Sequence, residues 1–115
     1  MKFKITSPSW RFINNVVNQL FKDKLNGFFI EAGALDGEFL SNTLYIEQAN
    51  NWTGLLIEAD DDNFNQLKSK NRKAWLANSC IGTKSYPYHT ILAKANPFSN
   101  DANWSNKGGS RLSVS

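Results

Sequence analysis

Two short apolar segments, each ending at a glutamate, constrain most strongly what this chain can fold into. Residues 28–32 (FFIEA) and residues 54–58 (GLLIE) show no alternation of apolar and polar positions before Glu31 and Glu58. Such runs are typical of strands buried on both faces of a parallel sheet. Helical patterns lie before, between and after them, so the sequence predicts parallel strands joined by crossover helices.

The segment before the first strand predicts an amphipathic helix. It is expected to begin at Ser7-Pro8-Ser9 and to end at Asn26-Gly27, because glycine tolerates the left-handed cap conformation. Apolar residues recur at helical spacing on the face expected to pack inward, namely Trp10, Ile13, Val17, Leu20 and Phe21. Polar residues are expected on the opposite face, namely Asn14, Asn18, Lys22 and Asp23.

Two further helices and a third strand continue the pattern. A second helix is expected over Ser41–Ala49, and a third helix is expected to be capped by Asp60–Asp62, because negative charge favours a helix N-terminus. A third strand is expected over Ala74–Ile81. The predicted fold class is therefore α/β: a Rossmann-like, incomplete parallel sheet of three to four strands with flanking helices.

Beyond Gly82 the pattern weakens. A fourth strand is expected over Ser85–Leu92, although Pro87 argues against a central position in a sheet. From residue 95 onward Asn, Ser, Gly and Lys dominate, so residues 95–115 are expected to be a disordered or truncated tail. Residues 1–94 are then expected to be the amino-terminal part of a longer domain.

Composition excludes several classes of function. The chain has 115 residues, 41% of them hydrophobic and 20% charged, which fits one globular domain or part of one. The net charge is only +3, and the lysines are spread along the chain with acids between them. Nucleic acid is therefore not an expected partner. No apolar run reaches the ~20 residues of a membrane span. A single cysteine, Cys80, and a single histidine, His89, give no disulfide and no expected metal site.

The two strand-terminal acids indicate where a ligand would bind. In open parallel sheets, ligands bind beyond the carboxyl ends of the strands, and an acid after the second strand commonly accepts hydrogen bonds from ribose hydroxyls. Glu31 and Glu58 are expected at that edge on neighbouring strands, which favours an adenosine-type ligand. The alternative is that Glu58 caps the next helix or pairs with a lysine.

The loop after the first strand discriminates between ligands. A dinucleotide site has the pattern G-x-G-x-x-G, in which the middle glycine lets the backbone approach a pyrophosphate. Here the loop is Gly33-Ala34-Leu35-Asp36-Gly37, with leucine in that middle position, so a nicotinamide-dependent dehydrogenase is disfavoured. Glu31, Asp36 and Glu38 would repel a pyrophosphate and would suit a cationic ligand such as S-adenosylmethionine.

Four sequence segments carry a family resemblance. The segments FFIEAGALDGEFLSNTLYIE, WTGLLIEAD, KNRKAW and SCI resemble the FkbM-type methyltransferase family, most closely its animal Star-like branch. The resemblance runs from about Gly27 to Ile81 and implies a class I methyltransferase fold that binds S-adenosylmethionine. Ala59 stands where relatives often have proline, and Trp10-Arg11 where the Star-like branch has a glycine-glutamine pair.

The resemblance also implies site residues. Glu31, Gly33 and Gly37 match the cofactor loop, which also contains Asp36, and Glu58 matches the ribose-binding acid. Asn42 and Thr43 would reach the methionine moiety or hold the loop in place. Residues 78–81, including Asn78 and Cys80, fall where the family lines the adenine. The acidic fourth strand near the transferred methyl group is not found before Ser115, so no catalytic residue is assigned.

Two functions are compatible with this resemblance. The first is the cofactor-binding half of an S-adenosylmethionine-dependent methyltransferase acting on oxygen, inactive as an isolated fragment. The second is a non-catalytic Star-like protein that acts in trafficking through the ER, Golgi or endosomes, with a longer parent protein that could be membrane-anchored. The expected compartment is the endomembrane system in the second case and the cytoplasm otherwise.

Several aromatic, basic and cysteine residues are expected to have structural roles. Trp52 and Trp75 are expected to be packing residues, because aromatic side chains dominate protein cores. Asn71-Arg72-Lys73 is expected to be a solvated turn after the third helix. Cys80 is expected to be a small buried apolar side chain.

Overall fold

The computed structural model of the protein describes residues 8–92 and residues 110–114. The chain divides after Asn78 into two compact units. The first unit contains α1 (Pro8–Phe21), β1 (Phe28–Ala32), α2 (Leu44–Asn50), β2 (Thr53–Ile57), α3 (Asp61–Lys68) and β3 (Trp75–Ala77). The second unit contains β4 (Tyr88–Leu92) and β5 (Ser110–Val114).

The sheet of the first unit has the predicted architecture. Its strand order is β1-β2-β3, and both strand pairs are parallel. Helices connect the strands, which gives an α/β arrangement that is compatible with a Rossmann-like fragment. The strand limits differ from prediction: β2 begins at Thr53, and β3 ends at Ala77 instead of Ile81. Because β2 ends at Ile57, Glu58 is the first residue beyond its carboxyl end.

One face of the sheet and the helices form the core. Leu56 in the central strand is completely buried, and Leu67 of α3 is almost so. The buried apolar cluster also contains Phe29, Ala34, Ile46, Trp52 and Ala74, with Val17, Phe21, Phe64 and Leu76 packed against it. The packing role expected for Trp52 is confirmed. The same expectation for Trp75 is wrong, because its side chain lies on the opposite face of the sheet and is 75% exposed.

The first helix differs from the prediction in its end and in its orientation. It ends at Phe21, and the Asn50 amide donates hydrogen bonds to the carbonyls of Phe21, Lys22 and Lys24 at 3.0–3.2 Å. These bonds satisfy the carbonyl groups that a helix end leaves unpaired. Of the side chains expected to face the core, Ile13 and Leu20 are exposed. Asn14, expected on the outside, donates to the Ser41 carbonyl at 3.4 Å.

The helix starts reflect local capping. Asp60 is the N-cap of α3, and its side chain accepts a hydrogen bond from the Asn63 N–H at 3.0 Å, which confirms the predicted start of this helix. The second helix begins three residues later than expected, at Leu44. Residues 41–43, which precede the helix, instead donate hydrogen bonds to the Glu31 carboxylate.

The second unit contains an antiparallel strand pair. The fourth strand begins directly after Pro87 and pairs with β5, with Thr90 opposite Leu112. The strand at Ser110–Val114 was not expected, since residues 95–115 were predicted to be a tail. In this strand apolar residues alternate with polar ones, a pattern that fits a strand. Residues 95–109 and 115 of the expected tail lie outside the described residues.

Candidate functional site

The loop after β1 is a tight turn at the carboxyl end of the sheet. The N–H groups of Gly33 and Ala34 both donate to the Ile57 carbonyl, at 2.8 and 3.0 Å. Gly33 and Gly37 have positive φ angles of 76° and 85°, a region that glycine enters without penalty. A Cβ on Gly37 would overlap the Leu67 side chain, whereas a Cβ on Gly33 would meet nothing within 4 Å. Gly37 is therefore required for packing, and Gly33 faces open space.

Leu35 holds a backbone conformation that its side chain disfavours. Its φ angle is +52°, and an L-residue in this region is destabilised by about 1–2 kcal/mol. The Leu35 N–H donates to Oε2 of Glu58 at 2.7 Å, which anchors the turn on the neighbouring strand. Strained backbone of this kind occurs preferentially at functional sites. The loop between β1 and α2 is therefore the candidate site.

Glu58 binds backbone on both sides of its carboxylate. While Oε2 accepts from Leu35, Oε1 accepts from the Asp60 N–H at 2.8 Å, and the residue is buried. The Asn78 amide donates to the Glu58 carbonyl at 3.0 Å, so this predicted site residue also lies at the carboxyl end of β2. The contact with Asp60 corresponds to the alternative in which Glu58 caps the next helix. The contact with Leu35 was not anticipated.

Glu31 binds the segment that leads into α2. Its Oε1 accepts from the Asn42 N–H at 2.9 Å, and its Oε2 accepts from the hydroxyl groups of Ser41, at 3.0 Å, and Thr43. The Ser41 hydroxyl oxygen in turn accepts from the Leu44 N–H at 3.1 Å, at the start of the helix. Of the two roles considered for Asn42 and Thr43, the one visible in these contacts is to hold the loop.

Arg72 completes this cluster, although the sequence predicted a solvated turn at that position. The prediction was wrong, because the Arg72 side chain is 2% exposed and pairs with Glu47 at 2.8 Å. The guanidinium group also donates to the Gly37 carbonyl and to Thr43 Oγ1 at 3.0 Å. The acid at Glu47 was a possible signal, because a carboxylate that becomes buried requires a partner and the forked guanidinium can serve several acceptors at once.

Asp36 closes the turn and pairs with Lys70. Its Oδ1 accepts from the N–H groups of Glu38 and Phe39 at 3.0 and 2.8 Å, and Oδ2 lies 3.8 Å from the Lys70 ammonium. Burial acts to raise the pKa of Asp36, but the two backbone hydrogen bonds and Lys70 outweigh it. The pKa therefore lies below its ordinary value of 3.8.

Acid should weaken the loop through Asp36. Because its pKa is lower in the folded state, Asp36 stabilises the fold above its unfolded pKa of about 4, and this contribution disappears as the pH falls through the folded pKa. We expect urea unfolding to show a stability advantage of the parent over Asp36→Asn at pH 6 that shrinks towards pH 3. The control, Asp23→Asn at an exposed position after α1, should show no comparable trend. An advantage independent of pH would contradict this assignment.

The hydrogen bonds of the loop give it a distinct electrostatic character. Its backbone N–H groups largely donate within the protein, and these donors belong to Gly33, Ala34, Leu35, Gly37, Glu38, Phe39, Ser41 and Asn42. A phosphate-binding loop instead points its N–H groups at the ligand. The loop therefore does not have the donor arrangement of a phosphate-binding loop.

The expected adenine-lining segment spans the division between the two units. Asn78 is the last residue of the first unit, and Cys80 belongs to the second. Cys80 is a free, partly exposed cysteine whose thiol donates to the Ile81 carbonyl at 3.8 Å, so it is not the fully buried side chain that was expected.

Comparisons with known proteins gave no match to this chain, whether to family models, to curated proteins or to solved structures. Among the described residues, no helix combines the length and the apolar character needed to cross a membrane.

Proposed function

We propose that this chain carries the cofactor half-site of an S-adenosylmethionine-dependent methyltransferase of the FkbM type, with oxygen as the methyl acceptor. The observation that carries the proposal is the loop after β1, in which Gly33 faces open space at the carboxyl edge of a parallel sheet. This edge is where open α/β sheets bind ligands. When bound, S-adenosylmethionine supplies an electrophilic methyl group on a sulfonium.

The residues present fit such a cofactor in shape. Gly33 has no neighbouring atom within 4 Å of where a Cβ would stand, so a ligand can approach the backbone there. The carboxyl end of β2 lies beside this position, because the Gly33 N–H donates to Ile57 and the next residue is Glu58. A ligand on the loop would therefore also reach the end of the second strand, which is the adenosine position in this fold class.

The charges fit a cationic cofactor better than a dinucleotide. Carboxylates surround the loop at Glu31, Asp36, Glu38 and Glu58, while most of its N–H groups are already bonded within the protein. A pyrophosphate would meet like charge and few donors. An ammonium or sulfonium group would be favoured by the negative charge of these carboxylates.

Titration calorimetry with S-adenosylhomocysteine tests the proposal. The parent chain is expected to bind it, and Gly33→Ala is expected to weaken binding at least about 10-fold, or 1.4 kcal/mol, because the added Cβ occupies the approach to the loop. Asn71→Ala is the matched control, since it also places alanine at a positive φ, here 53°, but after α3. It should bind like the parent. A well-folded parent that binds no S-adenosylhomocysteine would overturn the proposal.

A second candidate function is that of a non-catalytic Star-like scaffold in endomembrane trafficking. The observation that favours it is that both carboxylate oxygens of Glu58 are bonded to backbone, so the acid expected to bind ribose is already committed to holding the loop. This candidate predicts a folded chain with no affinity for S-adenosylhomocysteine, and the same calorimetry distinguishes the two.

A further inference from the structure

Two apolar surfaces of the first unit face solvent. One is a face of the sheet, and the other is a side of a helix. The sheet surface lies on the side of the sheet that none of the helices at residues 8–92 covers, and the helix surface lies on the side of α1 that faces away from the core. The open sheet face consists of Phe28, Ile30, Leu55, Ile57 and Trp75. The free α1 stripe consists of Phe12, Ile13, Val16 and Leu20.

The open sheet face is mostly apolar and carries no charged residue. The strand register aligns Ile30, Leu55 and Trp75 in one row across all three strands. Phe28 is 59% exposed, Ile30 65% and Trp75 75%. The remaining strand residues on this face are Ala32, Thr53 and Ala77, so none of the residues on it carries a charge. A parallel sheet normally has helices on both faces, whereas the described residues place helices on only one face of this sheet.

The free α1 stripe is the second apolar side of a helix that already packs against the core. Val17 and Phe21 contact the core cluster, which includes Phe29 and Leu56 on the helix-covered side of the sheet. Phe12, Val16 and Leu20 recur every four residues on a different side, and Phe12 and Leu20 are 71% and 70% exposed. A helix that is apolar on two sides is typical of one that is buried on both.

We propose that the chain associates with itself head to tail, so that the free α1 stripe of one copy covers the open sheet face of the next. The stripe would supply a helical layer on the face that the described helices leave open. Because α1 packs on the helix-covered side, each copy presents its two surfaces in different directions. Such a heterologous contact leaves one surface free at each end, and it therefore propagates instead of closing into a dimer.

The areas and charges set the strength of this contact. At ~150–250 Å² for an aromatic side chain, the exposed parts of the open sheet face and of the free α1 stripe amount to roughly 400 Å² each. Together they reach about 800 Å², below the ~1,200 Å² of stable interfaces, so the association should be weak. The uncharged sheet face lets copies approach despite a net charge of +3 on each.

Sedimentation velocity on the full chain tests this arrangement. A sheet-face variant, Trp75→Glu, and a stripe variant, Phe12→Glu with Leu20→Glu, each place charge on one surface at exposed positions. The parent should show a mass that rises with concentration between about 10 µM and 1 mM. Each variant alone should associate at least 10-fold more weakly, because a charge buried in an apolar contact is unfavourable. Gln48→Glu, which adds the same charge on an exposed position of α2, should behave like the parent.

Mixing the two variants gives the decisive measurement. Each retains the surface that the other has lost, so a 1:1 mixture should form a heterodimer with the affinity of a parental contact and should not grow beyond it. Circular dichroism must show that both variants are folded like the parent. A monomeric parent at all concentrations, as expected if another protein covers the sheet face, overturns the proposal. Variants that self-associate normally, or a mixture that does not associate, also overturn it.

Discussion

Replacing Arg72 with methionine should destabilise the protein by about 3–5 kcal/mol, the usual consequence of removing one partner of a buried ion pair. Methionine fills the space but leaves the buried Glu47 carboxylate without its cation, and the Gly37 carbonyl and the Thr43 hydroxyl each lose a donor. A chain of this length has a stability of roughly 6–17 kcal/mol. The substitution should therefore remove a large part of the total, measured as the midpoint of urea unfolding.

A double-mutant cycle separates the ion pair from the volume of the side chain. Adding Glu47→Gln to Arg72→Met removes the orphaned charge, so the double variant should recover part of the lost stability. Lys73→Met is the control: it removes a neighbouring cation whose ammonium contacts only the exposed Asn51 side chain among the described residues, at 3.1 Å. It should change stability by less than about 0.5 kcal/mol. Equal losses for Arg72→Met and Lys73→Met would show that the buried pair contributes nothing.

The sheet could be predicted because its signals are local. The apolar run over residues 28–30 and the run before Glu58 identify parallel strands without knowledge of any distant contact, and the strand order followed from the helical segments between them. The start of α3 was equally local, since Asp60 accepts from a residue three positions later. For such features, sequence pattern and structure agree because the determining residues are neighbours in the chain.

The internal organisation of the site could not be predicted, because residues distant in sequence determine it. Arg72 is buried through its bond to the Gly37 carbonyl, 35 positions earlier, and nothing in the turn around Arg72 indicates that contact. The orientation of α1 was assigned from apolar spacing alone, and a helix with two apolar sides offers two solutions. Trp75 was assigned to the core because it is aromatic, but its position in β3 places it on the uncovered face.

Glu58→Gln should lower the stability of the ligand-free protein by about 2–4 kcal/mol, together with any cofactor affinity. Each hydrogen bond to the buried carboxylate contributes about 1.5–3 kcal/mol. Glutamine can accept from the Leu35 N–H or from the Asp60 N–H, but its amide group then faces the other donor. At roughly 4 °C per kcal/mol for a domain of this size, the melting temperature should fall by about 8–16 °C.

The same substitution decides whether Glu58 also acts on a ligand. Because Glu58 fixes Leu35 in its positive-φ conformation, its loss should release the loop and weaken S-adenosylhomocysteine binding as a consequence of lost order. Glu38→Gln is the control, since Glu38 contacts Lys70 at the partly exposed rim and should change the melting temperature little. If Glu58→Gln lost binding while the melting temperature of the ligand-free form stayed unchanged, the carboxylate would act on ribose and the anchoring role would be wrong. A joint loss of stability and binding, with stability retained in Glu38→Gln, is the result expected from the two backbone hydrogen bonds.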